Sequence, residues 1–187
     1  SDDEEQAAVY FLLGESLASI EFADVRVETG ADPEHWRLER RHRCRARLID
    51  LPETRMRRVE LLTAEESPWS VRLCRGWNSL TAGGAYRVSF TARADEPRRL
   101  RVGVFQLHEP WENVGLHVDL DLTTQPQTYC AEFFASKDDP LVGLQFGVGE
   151  STAAVEIGQV GFGPAPGGVL WSLEQASGAR AQMLCAG

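Results

Sequence analysis

Two tryptophans fall outside the alternating pattern of the segments around them. Trp77 follows Arg75-Gly76, and Trp111 follows Pro110. Neither continues a buried row, so we predict that both lie in loops at the rim of the fold. An exposed indole face stacks on flat apolar surfaces, and planar polar groups beside it form directed hydrogen bonds. Polar residues that could serve in this way are Arg72, Arg93, Gln106, His108 and Gln145. The alternative is that each tryptophan plugs one end of the fold.

The other tryptophans are predicted to pack in the interior. Trp69 is in phase with Val71 and Leu73, which favours a core position. Trp36 recurs in a similar context at Trp171, which favours a packing role. Arg72 and Arg93 project opposite the buried rows of their strands, so each lies on an outer sheet surface. The sequence does not tell whether this surface is the concave one.

No residue pattern indicates catalysis or a metal centre. The chain has no GxSxG, HExxH or glycine-rich phosphate loop. Glu109, Glu112, Asp119 and Asp121 could supply carboxylates for glycoside hydrolysis, but nothing in the sequence places two of them across a cleft. We therefore interpret them as solvated acids. The four cysteines have no CxxC spacing and are expected to be separate reduced thiols.

The chain as a whole is acidic. With 19 Lys and Arg against 28 Asp and Glu, the formal charge is −9, which disfavours nucleic acid and anionic membranes as partners. One basic run, residues 37–47, stands out, and we expect Arg41, Arg43, Arg45 and Arg47 on one strand face. Such a strip could follow the phosphates of a nucleic acid. A polyanionic glycan would use the same charges and is the favoured alternative.

The elements that must position these residues are short β-strands. A period of two runs through most of the chain, with Gly and Pro at short intervals. One buried row is Tyr86, Val88, Phe90 and Ala92. Similar rows occur within residues 69–73, 114–122, 129–133, 144–148 and 153–162. Eight or more antiparallel strands at this length predict an all-β antiparallel sandwich or jelly roll.

The two ends of the chain match each other at one offset. Residues 10–28 align without a gap on residues 145–163, with seven of nineteen positions identical, and 146 − 11 gives the offset of 135. The same offset relates Trp36-x-Leu-Glu to Trp171-x-Leu-Glu. Two blocks in one register indicate a tandem duplication.

The duplication predicts three segments. Residues 1–28 would be the C-terminal strands of a preceding repeat, residues 29–163 a complete module, and residues 164–187 a linker with the first strands of a following repeat. Incomplete repeats leave open strand edges. We therefore expect the two end fragments to pair with each other, within or between chains, or to pack on the central module. The neighbouring repeats of the same protein are expected partners.

The order of segments in residues 36–162 resembles the carbohydrate-binding module superfamily of jelly-roll modules, of the family 4, 9 and 22 type. WRLE, SPWSVRL and LTAGGAYRVSFTARAD resemble its early strands, and LRVGVFQLHEPW, PQTYCAEFFAS and LVGLQFGVGESTAAVEIGQVGF follow in the family's order. The Asn-x-Gly-Phe-Glu opening of the family is absent, and Arg72 stands where the family often has glutamine.

The resemblance implies a galactose-binding-like jelly roll that binds an oligo- or polysaccharide without catalysis. Sugar recognition needs aromatic faces beside planar polar groups. The residues expected to supply them are Trp77, Trp111, Arg72, Arg93, Gln106 and Gln145. A structural calcium ion would follow from the family alone, and no ligand set for it can be assembled from the sequence. The alternative function is a spacer or protein-interaction repeat, and the compartment stays open.

Overall fold

The computed structural model describes residues 36–41, 44–77 and 79–165, except for the side chain of Trp77. These residues form ten strands and one short 3₁₀ helix. The strands are β1 (Trp36–Arg40), β2 (Ala46–Leu51), β3 (Met56–Leu61), β4 (Val71–Trp77), β5 (Ala85–Ala94), β6 (Arg98–Gln106), β7 (Asn113–Leu122), β8 (Gln127–Phe134), β9 (Val142–Gly147) and β10 (Val155–Pro164). The 3₁₀ helix covers Pro68–Ser70 and leads directly into β4. The expectations for residues 1–28, and all of the following repeat after residue 165, lie outside the described residues.

The strands form two five-stranded antiparallel sheets. The front sheet has the order β1-β4-β9-β6-β7, and the back sheet has the order β2-β3-β10-β5-β8. Strands that are distant in sequence therefore lie side by side, as in the pairing of β10 with both β3 and β5. This arrangement is a jelly-roll sandwich, and it confirms the fold class predicted from the sequence.

Alternating side chains from both sheets build the core. Val88, Phe90 and Ala92 of β5 are buried, as the period of two predicts. Phe90 lies edge-on to Phe146 of the front sheet, with ring centroids 5.0 Å apart. Phe146 also stacks on Trp36 at 6.0 Å, so the packing role predicted for Trp36 is confirmed.

The basic run is not a single strand. β1 ends at Arg40 in the front sheet, and β2 begins at Ala46 in the back sheet. Arg47 of β2 pairs with Glu60 of β3, with Nε 2.6 Å from Oε2. The expectation that Arg41 to Arg47 share one strand face is therefore wrong, because the chain crosses between sheets within that stretch.

The cysteines also differ from expectation. Cys44 and Cys74 are free thiols, but Cys130 is disulfide-bonded. The prediction of four separate thiols is therefore wrong, since spacing along the chain does not report which cysteines approach in space. Among the residues that the structure describes, no helix has the length and apolar character needed to cross a membrane.

Candidate functional site

The outer face of the front sheet carries a charged network. Glu39 of β1 lies opposite Arg72 of β4, and Cys74 of β4 lies opposite Gln145 of β9. Arg72 pairs with one oxygen of Glu39 and donates from Nη1 to Gln145 Oε1 at 3.3 Å. Arg37 pairs with the other oxygen of Glu39. Polar groups from three adjacent strands are thereby held in fixed positions.

Beside this network, outward-facing positions of the front sheet are occupied by glycines. Gly147 faces outward in β9, and a Cβ atom there would lie 2.9 Å from Cε3 of Trp69. The same close approach occurs between Gly143 and a side-chain carbon of Leu107, at 2.6 Å. Because no side chains project at these positions, large apolar groups lie directly against the backbone of the sheet. The apolar side chains that cover the glycines of this face are Trp69, Phe105 and Leu107.

Trp69 belongs to this outer surface. It is half-buried, and its ring meets Phe105 edge-on with centroids 5.3 Å apart. His117 of β7 lies next to it, at 5.8 Å between ring centroids. The prediction of a core position for Trp69 is therefore wrong. The 3₁₀ turn that begins at Pro68 breaks the strand alternation just before Val71, so the shared phase does not carry across it.

Trp111 stands at the rim, as predicted. Its backbone N–H donates to the carbonyl of His108 at 2.8 Å, which closes a tight turn, and its φ is 63°. The side chain is 57% exposed, the second highest exposure among the large apolar side chains that the structure describes. The turn therefore presents an indole face to solvent rather than sealing the end of the sandwich.

Together these side chains enclose a groove of about 700 Å³, which we call the front groove. Its lining combines aromatic side chains with charged ones. Its lining residues are Arg37, Glu39, Arg41, Ser67, Trp69, Arg72, Phe105, Leu107, Trp111 and Gln145. Of the residues predicted from the sequence, the groove brings together Trp111, Arg72 and Gln145.

Gln106 does not line the groove; it is buried beneath the loop that carries Trp111. Its side chain is 5% exposed, and its Nε2 donates to Asp139 Oδ2 at 2.7 Å. Its Oε1 accepts the backbone N–H of Glu112 at 3.2 Å. Gln106 thus ties the segment before Trp111 to the loop that holds Asp139.

Asp139 is the centre of this anchor. Its carboxylate also accepts the N–H of Leu141 at 2.9 Å and contacts His108 Nε2 at 3.2 Å. Burial alone would raise the pKa of Asp139, but the hydrogen bonds from Gln106, Leu141 and His108 outweigh it and lower the pKa. Hydrogen bonds to the Glu109 carbonyl and to Asp139 raise the pKa of His108. The candidate residue His108 therefore also serves the anchor.

Two further predicted residues are not part of the groove as described. Arg93 lies on the outer face of the back sheet, where its Nε and Nη2 donate to the Glu156 carboxylate at 2.7 and 2.6 Å. The sandwich separates it from the front groove. Trp77 ends β4 with its backbone opposite Val142, and its side chain lies outside the described part of the structure.

The groove holds no arrangement for covalent or hydrolytic chemistry among its described residues. Glu39 is its single carboxylate, and both of its oxygens are paired with arginine. Burial, reinforced by the nearby charge of Glu39, raises the pKa of the Cys74 thiol to about 12, so it is protonated at neutral pH. Among the residues that the structure describes, no group of three His, Cys, Asp or Glu side chains is arranged to hold a metal ion.

Sequence reasoning missed Trp69, Phe105 and the position of Glu39. Phe105 is out of phase with the buried Val102 and Val104, and this phase was a readable signal that it faces outward. For Trp69 the available signal was Ser67-Pro68, since proline at the first position of a short helix marks a break in the strand.

Comparisons with known proteins support the fold. No protein-family model and no curated protein matches the chain. Among solved structures, one described as "CBM4 structure and function" is 24% identical with a TM-score of 0.62, covering 71% of this chain and 88% of that chain. The second N-terminal cellulose-binding domain of Cellulomonas fimi β-1,4-glucanase C is 21% identical with a TM-score of 0.55, covering 70% and 85%.

A third similar structure contains the CBM22-1 and GH10 modules of Clostridium thermocellum xylanase 10B in complex with xylohexaose. It is 14% identical with a TM-score of 0.50, and the match covers 73% of this chain and 27% of that one. At these identities the likeness establishes the fold. The chain therefore has the same jelly-roll fold as these solved structures.

Proposed function

We propose that this chain is a non-catalytic module that binds an oligo- or polysaccharide in the front groove. The observation that carries the proposal is the groove's composition: the rings of Trp69 and Trp111 lie beside Arg72 and Gln145. Pyranose rings present apolar faces that stack on aromatic rings, and their hydroxyls pair with planar polar groups. Both requirements meet in one concave surface.

The polar floor suits this role because it is pre-organised. Arg72 is held between Glu39 and Gln145, so its guanidinium need not be ordered when a ligand arrives. A preformed contact of this kind reduces the entropic cost of binding. The similar structures include a cellulose-binding domain and a complex with xylohexaose, which supports a saccharide as the ligand class.

The proposal includes the absence of catalysis. Hydrolysis of a glycosidic bond requires two carboxylates roughly 5–9.5 Å apart on either side of the bond. Among the described lining residues, the groove offers Glu39 alone, and its two oxygens are paired with Arg37 and Arg72. Asp119, one of the carboxylates considered above, is itself engaged by Arg101, with Nε 2.6 Å from Oδ1.

Tandem copies of the module would bind a polysaccharide more tightly than a single groove of low affinity. Linked sugar-binding modules gain avidity because the second binding event is intramolecular. The sequence match between residues 10–28 and 145–163 motivates this part of the proposal.

The rival function, a structural spacer, would bury its loop tryptophans where modules meet. The 57% exposure of Trp111 at the mouth of a groove with Arg72 and Gln145 favours ligand binding over that alternative.

The substitution Trp111→Ala tests the proposal. A glycan array with the 187-residue chain would identify ligands, and titration calorimetry would then compare the variants. We expect Trp111→Ala to weaken binding about tenfold, or about 1.4 kcal/mol, because one stacking face is removed. Phe134→Ala is the matched control, since Phe134 is an aromatic residue, 48% exposed, on the back sheet. Absence of binding to every glycan at millimolar concentration would refute the proposal.

A further inference from the structure

The formal charge of the front groove is positive, whereas the net charge of the whole chain is negative. Its lining has three arginines, Arg37, Arg41 and Arg72, and one carboxylate, Glu39, which gives a formal charge of 3 − 1 = +2. The whole chain carries −9. A cationic site on an acidic protein concentrates positive potential where the ligand would lie.

The positive charge is not neutralised within the network. Arg37 and Arg72 share the carboxylate of Glu39. Arg41, in the part of the chain that the structure describes, has no carboxylate partner. By contrast, Arg47 of the same basic run pairs with Glu60 on the back sheet. Arg41 therefore adds to the groove a positive charge that no described carboxylate pairs with.

Arg41 lies next to the 3₁₀ turn that carries Trp69. Its backbone N–H donates to the carbonyl of Ser70 at 2.8 Å, and Ser70 closes the 3₁₀ turn that carries Trp69. The same turn thus carries Trp69 and anchors the backbone of Arg41, and both residues line the groove. A ligand that stacks on Trp69 brings the substituents of a neighbouring sugar toward Arg41.

We infer that the front groove takes an acidic polysaccharide, with Arg37 and Arg41 binding carboxylates of uronate residues while the aromatic rings stack on sugar faces. This inference rests on the proposed function and names its ligand class. The guanidinium fork matches a carboxylate with two parallel hydrogen bonds, a geometry that neutral hydroxyls do not use fully. A nucleic-acid strand would also combine charge and stacking, but the saccharide-binding structural neighbours favour the glycan.

The test compares one polymer with and without its charge. Polygalacturonate and its carboxyl-reduced counterpart are titrated against the 187-residue chain at several salt concentrations. We expect polygalacturonate to bind at least about tenfold more tightly at low salt and to lose this advantage as salt rises. The double variant R37Q/R41Q is expected to lose the preference between the two polymers. The double variant R45Q/R47Q, which removes two positive charges at residues outside the groove lining, is the control and is expected to keep it.

Each outcome discriminates. Equal wild-type affinity for both polymers, independent of salt, would overturn the acidic ligand class while leaving saccharide binding intact. A preference that persists in R37Q/R41Q would overturn the assignment to these arginines. Tighter binding of an oligo-dT strand than of polygalacturonate would also overturn the inference. If neither polymer nor any other glycan binds, the proposed function itself fails.

Discussion

Replacement of Phe146 by alanine is expected to lower the free energy of unfolding by about 3–5 kcal/mol. Phe146 is fully buried in β9, the central strand of the front sheet. Its ring contacts Phe90 of the back sheet and Trp36 of β1, so it joins the two layers. Truncation removes these contacts and leaves a cavity that rigid sheets cannot close.

Urea denaturation followed by circular dichroism measures this loss. Phe134→Ala makes the same chemical change at a position that is 48% exposed, and we expect it to cost less than about 1 kcal/mol. Since domains of this size are stable by only about 5–15 kcal/mol, the Phe146 variant is expected to lie near its unfolding threshold. A loss below about 1 kcal/mol for Phe146→Ala would contradict the described core.

The second large effect is expected for Asp139→Ala. Removing this buried carboxylate leaves the Gln106 amide and the Leu141 N–H without an acceptor, at a cost of about 2–3 kcal/mol. The loop that presents Trp111 also loses its anchor, so glycan affinity is expected to fall with stability. Asp50→Ala is the control, because Asp50 is 75% exposed and its pairing with Arg57 at 3.2 Å contributes little.

The cost of Asp139→Ala is expected to depend on pH. The pKa of Asp139 is lowered by folding, so its contribution is present above the ordinary value of 3.8 and is lost as pH falls through the folded pKa. The difference between wild type and variant should therefore shrink in acid. His108 has a raised pKa, so its pairing with Asp139 is strongest below its ordinary value of 6.5 and fades as pH rises. A difference that grows as pH falls below 3.8 would contradict this account.

The fold was predictable because buried and exposed residues alternate within most of the individual strands. The row from Val88 to Ala92 shows which face of β5 is buried, and similar rows occur in β7, β8 and β9. Strand number, turn residues and the order of motifs then favoured a jelly roll. None of this required knowledge of which strands pair.

The site was predictable only in part, because alternation identifies an outward face without saying which sheet it belongs to. Arg72 and Arg93 have the same pattern, yet one lies in the front groove and the other pairs with Glu156 on the opposite surface. Gln106 is buried because a carboxylate 33 residues later in the chain faces it, and such pairings are not encoded in local periodicity.

The tandem duplication stays a prediction, but the central module gives physical reasons for the positions that recur. A Cβ atom at Gly149 would lie 2.1 Å from Ser70 Oγ, and the Ser151 Oγ accepts a hydrogen bond from the backbone N–H of Ala153 at 3.1 Å. Glu156 is buried between Arg58 and Arg93. Gly14, Ser16 and Glu21 are the corresponding residues of the first block.

The glycines on the outer face of the front sheet make the shape of the groove independent of the strands beneath it. Trp69 and Leu107 reach the sheet from connecting segments and rest on bare backbone at Gly147 and Gly143. Exchanging either side chain alters the shape offered to a ligand while every ladder hydrogen bond of β9 stays in register. Variation at a few connecting residues therefore reshapes the surface of the front groove, with the sandwich carried over unchanged.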